Sequence, residues 1–281
     1  MSKKIVFLND EFLAYDKAFI HIEDRGFQLA DGVYEVILYQ NNKLVDFDEH
    51  IERLFRSAKE INLKINKSKI EFKEIFLKLF AENNLDSGYI YLQVTRGKHP
   101  RIQTQPKDYN PTINAIANPL KIIDQKDLEN GFKAITHDDI RWKRCNIKSI
   151  ALLPSTLLKE KAENENAIEA ILTRDGFVTE GSFCNVFIVN DKKQLITRPA
   201  DNYILEGITR NRVIDLAKKN NIEVIEKKFT KEELLKAKEV FLTSSTLKIR
   251  PISKIDDNVI SNGKAGEIAQ KLIELYNNYC Y

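Results

Sequence analysis

Arg144-Cys145-Asn146-Ile147-Lys148-Ser149 puts a lysine in an apolar-flanked run, and the chain later reads Val178-Thr179-Glu180-Gly181-Ser182-Phe183-Cys184-Asn185. Gly207-Ile208-Thr209-Arg210 and Thr243-Ser244-Ser245-Thr246 follow in that order. A lysine at the end of an apolar strand cannot keep its charge in a core without a partner, so it either snorkels to the surface or is consumed in chemistry. Glu180 precedes Gly181, which permits close backbone approach; on local evidence alone a solvated turn glutamate reads equally well. Gly207-Ile208-Thr209 opens a helix whose first amides and positive dipole end suit a phosphate, unless it is a plain helix start. Ser244, Ser245 and Thr246 offer a second set of hydroxyls and amides, or are turn residues only. Taken together, an amine, a carboxylate and two anion-binding groups are what pyridoxal 5'-phosphate (PLP) requires.

Composition narrows the alternatives. The 281 residues suit one large or two smaller domains, and 44 basic against 41 acidic residues leave a formal charge of only +3. So even a balance gives no case for nucleic acid or an anionic membrane as partner. The mixed-charge runs 57–64 and 230–239 read as solvated helix faces. Cys145, Cys184 and Cys280 have neither pairing nor zinc spacing, which fits a reducing cytoplasm, and Cys145 and Cys184 read as small apolar residues in packed strands. Lys3 and Lys4 are followed by Asp10 and Glu11 before any adequate apolar run, and no stretch approaches the ~20 apolar residues of a membrane span. No Cys/His cluster points to a metal, no nucleophile elbow accompanies His21, His50, His99 or His137, and no Gly-rich dinucleotide or P-loop pattern occurs.

Hairpins are expected at 5–8 with 12–14 across Asn9-Asp10, and at 33–39 with 43–47 across Asn41-Asn42. Apolar spacing predicts helices over 47–61, capped by Asp46 or Asp48, and over 67–83, then strands at 89–95 and 112–117. Asn118-Pro119-Leu120 interrupts any ladder and marks a boundary. That divides the chain into a small N-terminal α+β domain at 1–118, a short linker at 119–122 and a larger domain at 123–281. Beyond it, strands are expected near 132–136, 147–150, 168–173, 177–179, 185–189 and 195–197. Helices are expected near 157–165, 208–219, 231–237 and 264–279. The class is α+β, with a cleft between two domains as the place for a cofactor.

Further segments extend the pattern: Glu23-Asp24-Arg25-Gly26, Asp31-Gly32-Val33-Tyr34-Glu35, Glu49-His50-Ile51-Glu52-Arg53-Leu54, Val94-Thr95-Arg96-Gly97 and Arg141-Trp142. With the four segments quoted above, they make most of the chain resemble the class IV, fold-type IV PLP-dependent aminotransferases, and within them the D-amino-acid (D-alanine) group. The resemblance implies that Lys148 forms the Schiff base and then moves the Cα proton, and that Glu180 keeps the pyridine nitrogen protonated. It implies phosphate contacts from Arg53 (whose rival role is a surface ion pair with Glu49), Ile208, Thr209, Ser244 and Ser245, a cofactor contact at Ser182, and Leu205 packed on the ring. For the substrate carboxylate it implies Tyr34 and, arriving from the other subunit of a homodimer, Arg101. Gln103 stands where the family has a histidine; it donates hydrogen bonds but cannot become cationic. His99, two residues before Arg101, is a candidate substitute. Phe183 replaces a serine common in close relatives. The implied reaction is transamination between D-alanine and 2-oxoglutarate. A branched-chain L-amino-acid aminotransferase, an aminodeoxychorismate lyase and a PLP-binding protein without catalysis are the alternatives.

Overall fold

Short polar turns punctuate the first 120 residues, and the segments between them are rich in strand formers or carry helical spacing. The structure is a computed structural model describing residues 4–280; Lys3 lies outside the described residues. β1 (Ile5–Leu8) and β2 (Glu11–Ala14) pair across Asn9, which adopts the left-handed backbone such a turn needs. α1 (Arg25–Leu29) starts on Asp24, whose carboxylate accepts the Gly26 amide. β3 (Gly32–Gln40) turns at Asn41-Asn42 into β4 (Lys43–Leu44), and α2 (Phe47–Glu60) follows. α3 (Lys69–Glu82) opens with a Ser68/Glu71 capping box, which sets its start two residues later than apolar spacing suggests. β5 (Gly88–Thr95) and β6 (Thr112–Asn118) complete a six-stranded antiparallel sheet in the order β2-β1-β6-β5-β3-β4.

α2 carries two stripes. Ile51, Leu54 and Ala58 join the aromatic core made by Phe47, Phe72, Phe76 and Phe80, whereas His50, Arg53 and Ser57 form a buried polar stripe along the same helix. Spacings of three and four residues place each set on one face. Asp46 occupies the N-cap position with a left-handed backbone and makes no side-chain cap bond.

The remaining chain alternates strands and helices. α4 (Gln125–Asn130), β7 (Phe132–Asp138), α5 (Leu153–Asn164), β8 (Glu169–Arg174) and β9 (Phe177–Gly181) come first. β10 (Asn185–Val189), β11 (Leu195–Thr197), α6 (Ile208–Lys219), β12 (Val224–Glu226) and α7 (Lys231–Leu235) follow. β13 (Glu239–Ser244), β14 (Lys248–Ile255), β15 (Asn258–Val259) and α8 (Glu267–Cys280) end the chain. Their mixed sheet runs β12-β11-β10-β13-β14-β7-β8-β9, with β15 on β14. The neighbours β11–β12, β14–β7 and β7–β8 are parallel. α5 begins at Leu153, four residues before the expected start, because Pro154 is favourable in a first helical turn.

The compact units are Met1–Leu120 with Ile147–Ala151, and Lys121–Asn146 with Leu152–Tyr281. The division at 119–122 placed the Lys148 run in the C-terminal part, but Ile147–Ala151 belongs to the first unit. Nor is 147–150 a strand: it is irregular, with one isolated bridge between Ser149 and Val33. Its backbone groups are satisfied by β3 instead, Tyr34 N–H donating to the Lys148 carbonyl at 3.0 Å and Ile150 N–H to the Gly32 carbonyl at 3.1 Å.

Phe76 is fully buried, with Phe72 and Phe47 rings at 5.9 Å and 6.1 Å. Phe76→Ala is expected to destabilise the protein by about 3–5 kcal/mol, through lost burial and the cavity left behind. Urea denaturation checks this, and an unchanged midpoint would show that this aromatic cluster does not hold the first unit together.

Candidate active site

In the first unit Lys148 is half-buried, and its Nζ lies 4.3 Å from the centroid of the Tyr34 ring. Its backbone N–H donates to Ser57 Oγ at 3.2 Å, so α2 and β3 together fix the segment. Beside Tyr34 in sequence, Glu35 is a wholly buried carboxylate in an otherwise apolar strand. Arg53 grips it with two donors, Nε to Oε1 at 2.7 Å and Nη2 to Oε2 at 2.9 Å, and His50 Nδ1 lies 2.8 Å from Oε2. Burial by itself would raise the Glu35 pKa, but the Arg53 charge and hydrogen bonds, with His50, hold it well below the usual carboxylate range. Burial pushes the His50 pKa down, against the pull of Glu35. Arg53 is therefore anchored on Glu35, because a buried guanidinium needs a buried counter-charge. Tyr34 is itself buried, whereas Arg101 and Gln103 are exposed in the stretch between β5 and β6.

In the second unit Glu180 lies within β9 and is buried. Oε1 accepts from Arg141 Nη1 at 2.6 Å; Oε2 accepts from Asn185 Nδ2 at 3.0 Å and from the Leu205 amide at 3.1 Å. Arg141 is shared, since its Nε and Nη2 both donate to Asp139, each at 2.9 Å. Burial pushes the Glu180 carboxyl up to about 7, with Arg141 pulling the other way and Asp139 adding to the rise. Asp139 stays below its ordinary range: the rise from its own burial is outweighed by the bonds and charge of Arg141 and the Thr179 hydroxyl.

Asn185 also reaches the Leu205 carbonyl at 2.9 Å, tying β10 to the loop before α6. Gly207 is the N-cap of α6 and supplies no side-chain cap; a Cβ there would strike the Asn185 side-chain oxygen. Ile208 and Thr209 are thus the first two residues of a helix whose leading amides meet no cap. Thr243, paired with Asn185 across β13 and β10, has a buried hydroxyl without a partner. Ser244 and Ser245 follow it half-buried, and Ser244 Oγ accepts the Leu247 amide at 3.2 Å. Ser182 turns its hydroxyl and its amide to buried Glu169, which pins the turn after Glu180. Leu205 is half-buried. Phe183 is partly exposed.

Lys148, Tyr34 and Arg53 thus fall together in the first unit; Glu180, Leu205, Ile208, Thr209, Ser244 and Ser245 fall in the second. Sequence reading assigned no role to Glu35, His50, Asp139, Arg141 or Asn185. A glutamate at the centre of an apolar strand, with His50 and Arg53 three apart on a helix, carried a readable sign of a buried ion pair. Nothing local joins Asp139, Arg141 and Asn185 to Glu180. Among the described residues no group of three potential metal ligands occurs, and no helix is long and apolar enough to cross a membrane.

The family model described as Amino-transferase class IV matches residues 32–255. The D-alanine aminotransferase of Listeria monocytogenes serotype 1/2a (strain 10403S) is 45% identical over 274 residues, 96% of this chain and 94% of that protein. That of Bacillus licheniformis is 42% identical over 267 residues, 95% and 94% of the two chains. Among solved structures, the Escherichia coli branched-chain amino acid aminotransferase superimposes with a TM-score of 0.91 at 26% identity, covering 98% of this chain and 94% of that one. The branched-chain amino acid aminotransferase of Thermoproteus uzoniensis, solved with norvaline, gives 0.86 at 28% identity, covering 98% and 94%.

A raised Glu180 pKa fixes the sign of a pH effect. In the unfolded chain this carboxyl ionises near 4.5 and in the folded chain near 7, so the folded state binds the extra proton between them. Its contribution is fully present below about pH 4.5 and is lost as pH rises to about 7, by at most about 3 kcal/mol. Cofactor-free wild type should therefore lose stability relative to Glu180→Gln across that window, as read by denaturant unfolding at several pH values. Parallel profiles for the two proteins would mean that Glu180 is already ionised throughout.

Proposed function

This chain belongs to the class IV aminotransferases, and from that premise we propose that it transfers an amino group between D-alanine and 2-oxoglutarate with PLP as cofactor. One observation carries the substrate: the 45% identity to a D-alanine aminotransferase spans nearly the whole of both chains. The residues present suit the cofactor. A helix start without a side-chain cap and a buried, unpartnered Thr243 hydroxyl are donors suited to a phosphate, and Glu180 is a buried carboxylate suited to a ring nitrogen. When bound, PLP supplies an aldehyde for amine condensation and a cationic ring that withdraws the electron pair left at Cα.

Lys148 is the amine that carries the cofactor and moves the proton at the substrate Cα. Tyr34 flanks it and, with Arg101 and Gln103, binds the substrate carboxylate; Arg101 grips it through two charge-assisted hydrogen bonds. Gln103 leaves the carboxylate site with one fewer titratable group than a histidine would give. The Glu180 carboxyl keeps a proton on the ring nitrogen, and Arg141, Asn185 and the Leu205 amide hold it in place. Ile208 and Thr209 at the start of α6, with Ser244 and Ser245, bind the phosphate. Arg53, oriented by Glu35, is the remaining phosphate contact, and Leu205 packs on the ring. Ser182 acts through Glu169 by pinning the turn that follows Glu180.

Structural likeness to branched-chain enzymes does not favour an L-substrate, since the backbone is common to the class and stereochemistry depends on where the carboxylate is held. The working unit is a homodimer: Tyr15, Phe19, Ile22 and Phe27 are exposed within one short segment, an apolar surface that a second copy would cover. Cys145, Cys184 and Cys280 are buried and in no disulfide, which fits a cytoplasmic setting.

D-Alanine is expected to shift the visible band of PLP-loaded protein while L-leucine leaves it unchanged. A response to L-leucine alone would establish the branched-chain activity, and pyruvate release from aminodeoxychorismate would establish the lyase. Lys148→Ala should reduce transamination by at least ~100-fold, the least expected for removing the group that moves the proton; wild-type turnover in that variant would remove Lys148 from the reaction. Sedimentation velocity should give a dimer that Phe27→Asp weakens, and a wild-type monomer at micromolar concentration would refute the assembly.

A further inference from the structure

Arg101 and Gln103 stand on an irregular, exposed stretch, yet a substrate carboxylate must meet them at a defined position. Three groups of bonds define that stretch. At its base the Asp24 carboxylate accepts the Thr95 hydroxyl at 3.0 Å, Thr95 Oγ1 accepts the Gly97 amide at 3.1 Å, and Arg25 N–H donates to the Gly97 carbonyl at 2.9 Å. Gly97 has φ of +81°, a backbone suited to glycine. Further on, Gln105 Nε2 donates to the Ile61 carbonyl at 3.0 Å. Between them, the Arg25 guanidinium donates through Nη1 to the carbonyl of Ile102 at 2.7 Å. Ile102 is the residue between Arg101 and Gln103.

Arg25 is buried, and its own orientation is fixed. Its Nε donates to Asp31 Oδ2 at 2.8 Å, and the same carboxylate takes two donors from Arg96, at 2.8 Å and 3.0 Å. Arg96 is anchored in turn on the carbonyls of Ile61 and Asn62. Burial alone would raise the Asp31 pKa, but its two arginines hold it below the ordinary value. A guanidinium presents its donors in a rigid planar fork, so holding Nε on Asp31 dictates where Nη1 points. Asp31 lies three residues before Tyr34, at the entry to β3. One carboxylate therefore sets both the start of the Tyr34 strand and, through Arg25, the path of the backbone between Arg101 and Gln103.

We propose that Arg25 is a positioning residue for substrate recognition: it holds the Ile102 carbonyl and thereby aims the two flanking side chains that take the carboxylate. This rests on the reading of Arg101 as a carboxylate contact. Arg25 touches neither substrate nor cofactor, so its loss acts on recognition and leaves the proton transfer alone. Arg25→Lys keeps a charge for Asp31 while lacking the second, fixed nitrogen that reaches Ile102. Arg25→Met removes both bonds and leaves Asp31 its Arg96 partner.

The test compares wild type, R25K, R25M, R101A and R25K/R101A as PLP-loaded enzymes. In both Arg25 variants KM for D-alanine should rise on the order of 10-fold, as for one lost charge-assisted contact, with kcat and the visible cofactor band near wild type. In the R101A background R25K should add little, because the side chain it aims is gone. Tryptic cleavage after Arg101 should quicken in both Arg25 variants while cleavage elsewhere keeps its rate. A raised KM in R101A alongside wild-type KM in both Arg25 variants overturns this proposal alone; so does unchanged cleavage after Arg101, or an R25K effect undiminished in the double variant. Wild-type KM in R101A overturns the reading of Arg101, and the proposal with it.

Discussion

Two backbone hydrogen bonds decide where the lysine sits: Tyr34 N–H to the carbonyl of Lys148, and Ile150 N–H to the carbonyl of Gly32. The run around Lys148 forms no strand of its own, so its polar backbone groups need partners from elsewhere. β3 supplies them, and Ser57 of α2 accepts the Lys148 amide. Gly32 makes the approach possible, because a Cβ there would crowd the Val94 carbonyl and the end of Ile150. The amine is thus set beside Tyr34 by main-chain geometry rather than by its own long, flexible stem. For the proton transfer proposed for this amine that arrangement matters, because a small misplacement is costly.

Three carboxylates shielded from solvent are answered with arginine. Glu35 meets Arg53 and His50, Asp31 meets Arg25 and Arg96, and Asp139 meets Arg141 and Arg174. Those three acids all sit below their ordinary pKa, since a close guanidinium outweighs desolvation. Glu180 departs from these three. It is equally buried but shares Arg141 with Asp139, so burial dominates and its carboxyl rises to about 7. A buried acid poised near neutrality is the feature expected where a proton is to be held on a ligand. The fully matched pairs hold backbone and helices in register; the undermatched one is the carboxyl that the proposed reaction sets against the ring nitrogen.

Much of this was readable from the chain. Periodicity located α2, α6 and both N-terminal hairpins closely, because apolar spacing and Asn turns act over a few residues. The Lys148 and Glu180 segments were legible through their order along the chain. The irregular run at 147–150 was misread as a strand because its apolar residues, Ile147 and Ile150, mimic strand composition while its hydrogen bonds go to a distant element. The resemblance marks Arg53 as a phosphate contact, with a surface ion pair to Glu49 as the rival reading. Its partner, Glu35, is eighteen residues away on another element, and the sole sign of the pair in the sequence is a glutamate within an apolar strand.

Local chemistry alone therefore determined the α+β class and most element positions, since these depend on residue type, spacing and short-range backbone preference, whereas Lys148 and Glu180 were singled out by the resemblance that the ordered segments carry. Tertiary structure alone decided that Lys148 packs on β3, that Arg141 is shared between Asp139 and Glu180, and that Arg25 reaches the backbone between Arg101 and Gln103. Each of these depends on a hydrogen bond between residues far apart in the chain. Such bonds exist because burial removes water and obliges every polar group to find a partner, and which partner lies within reach is a property of the packed chain.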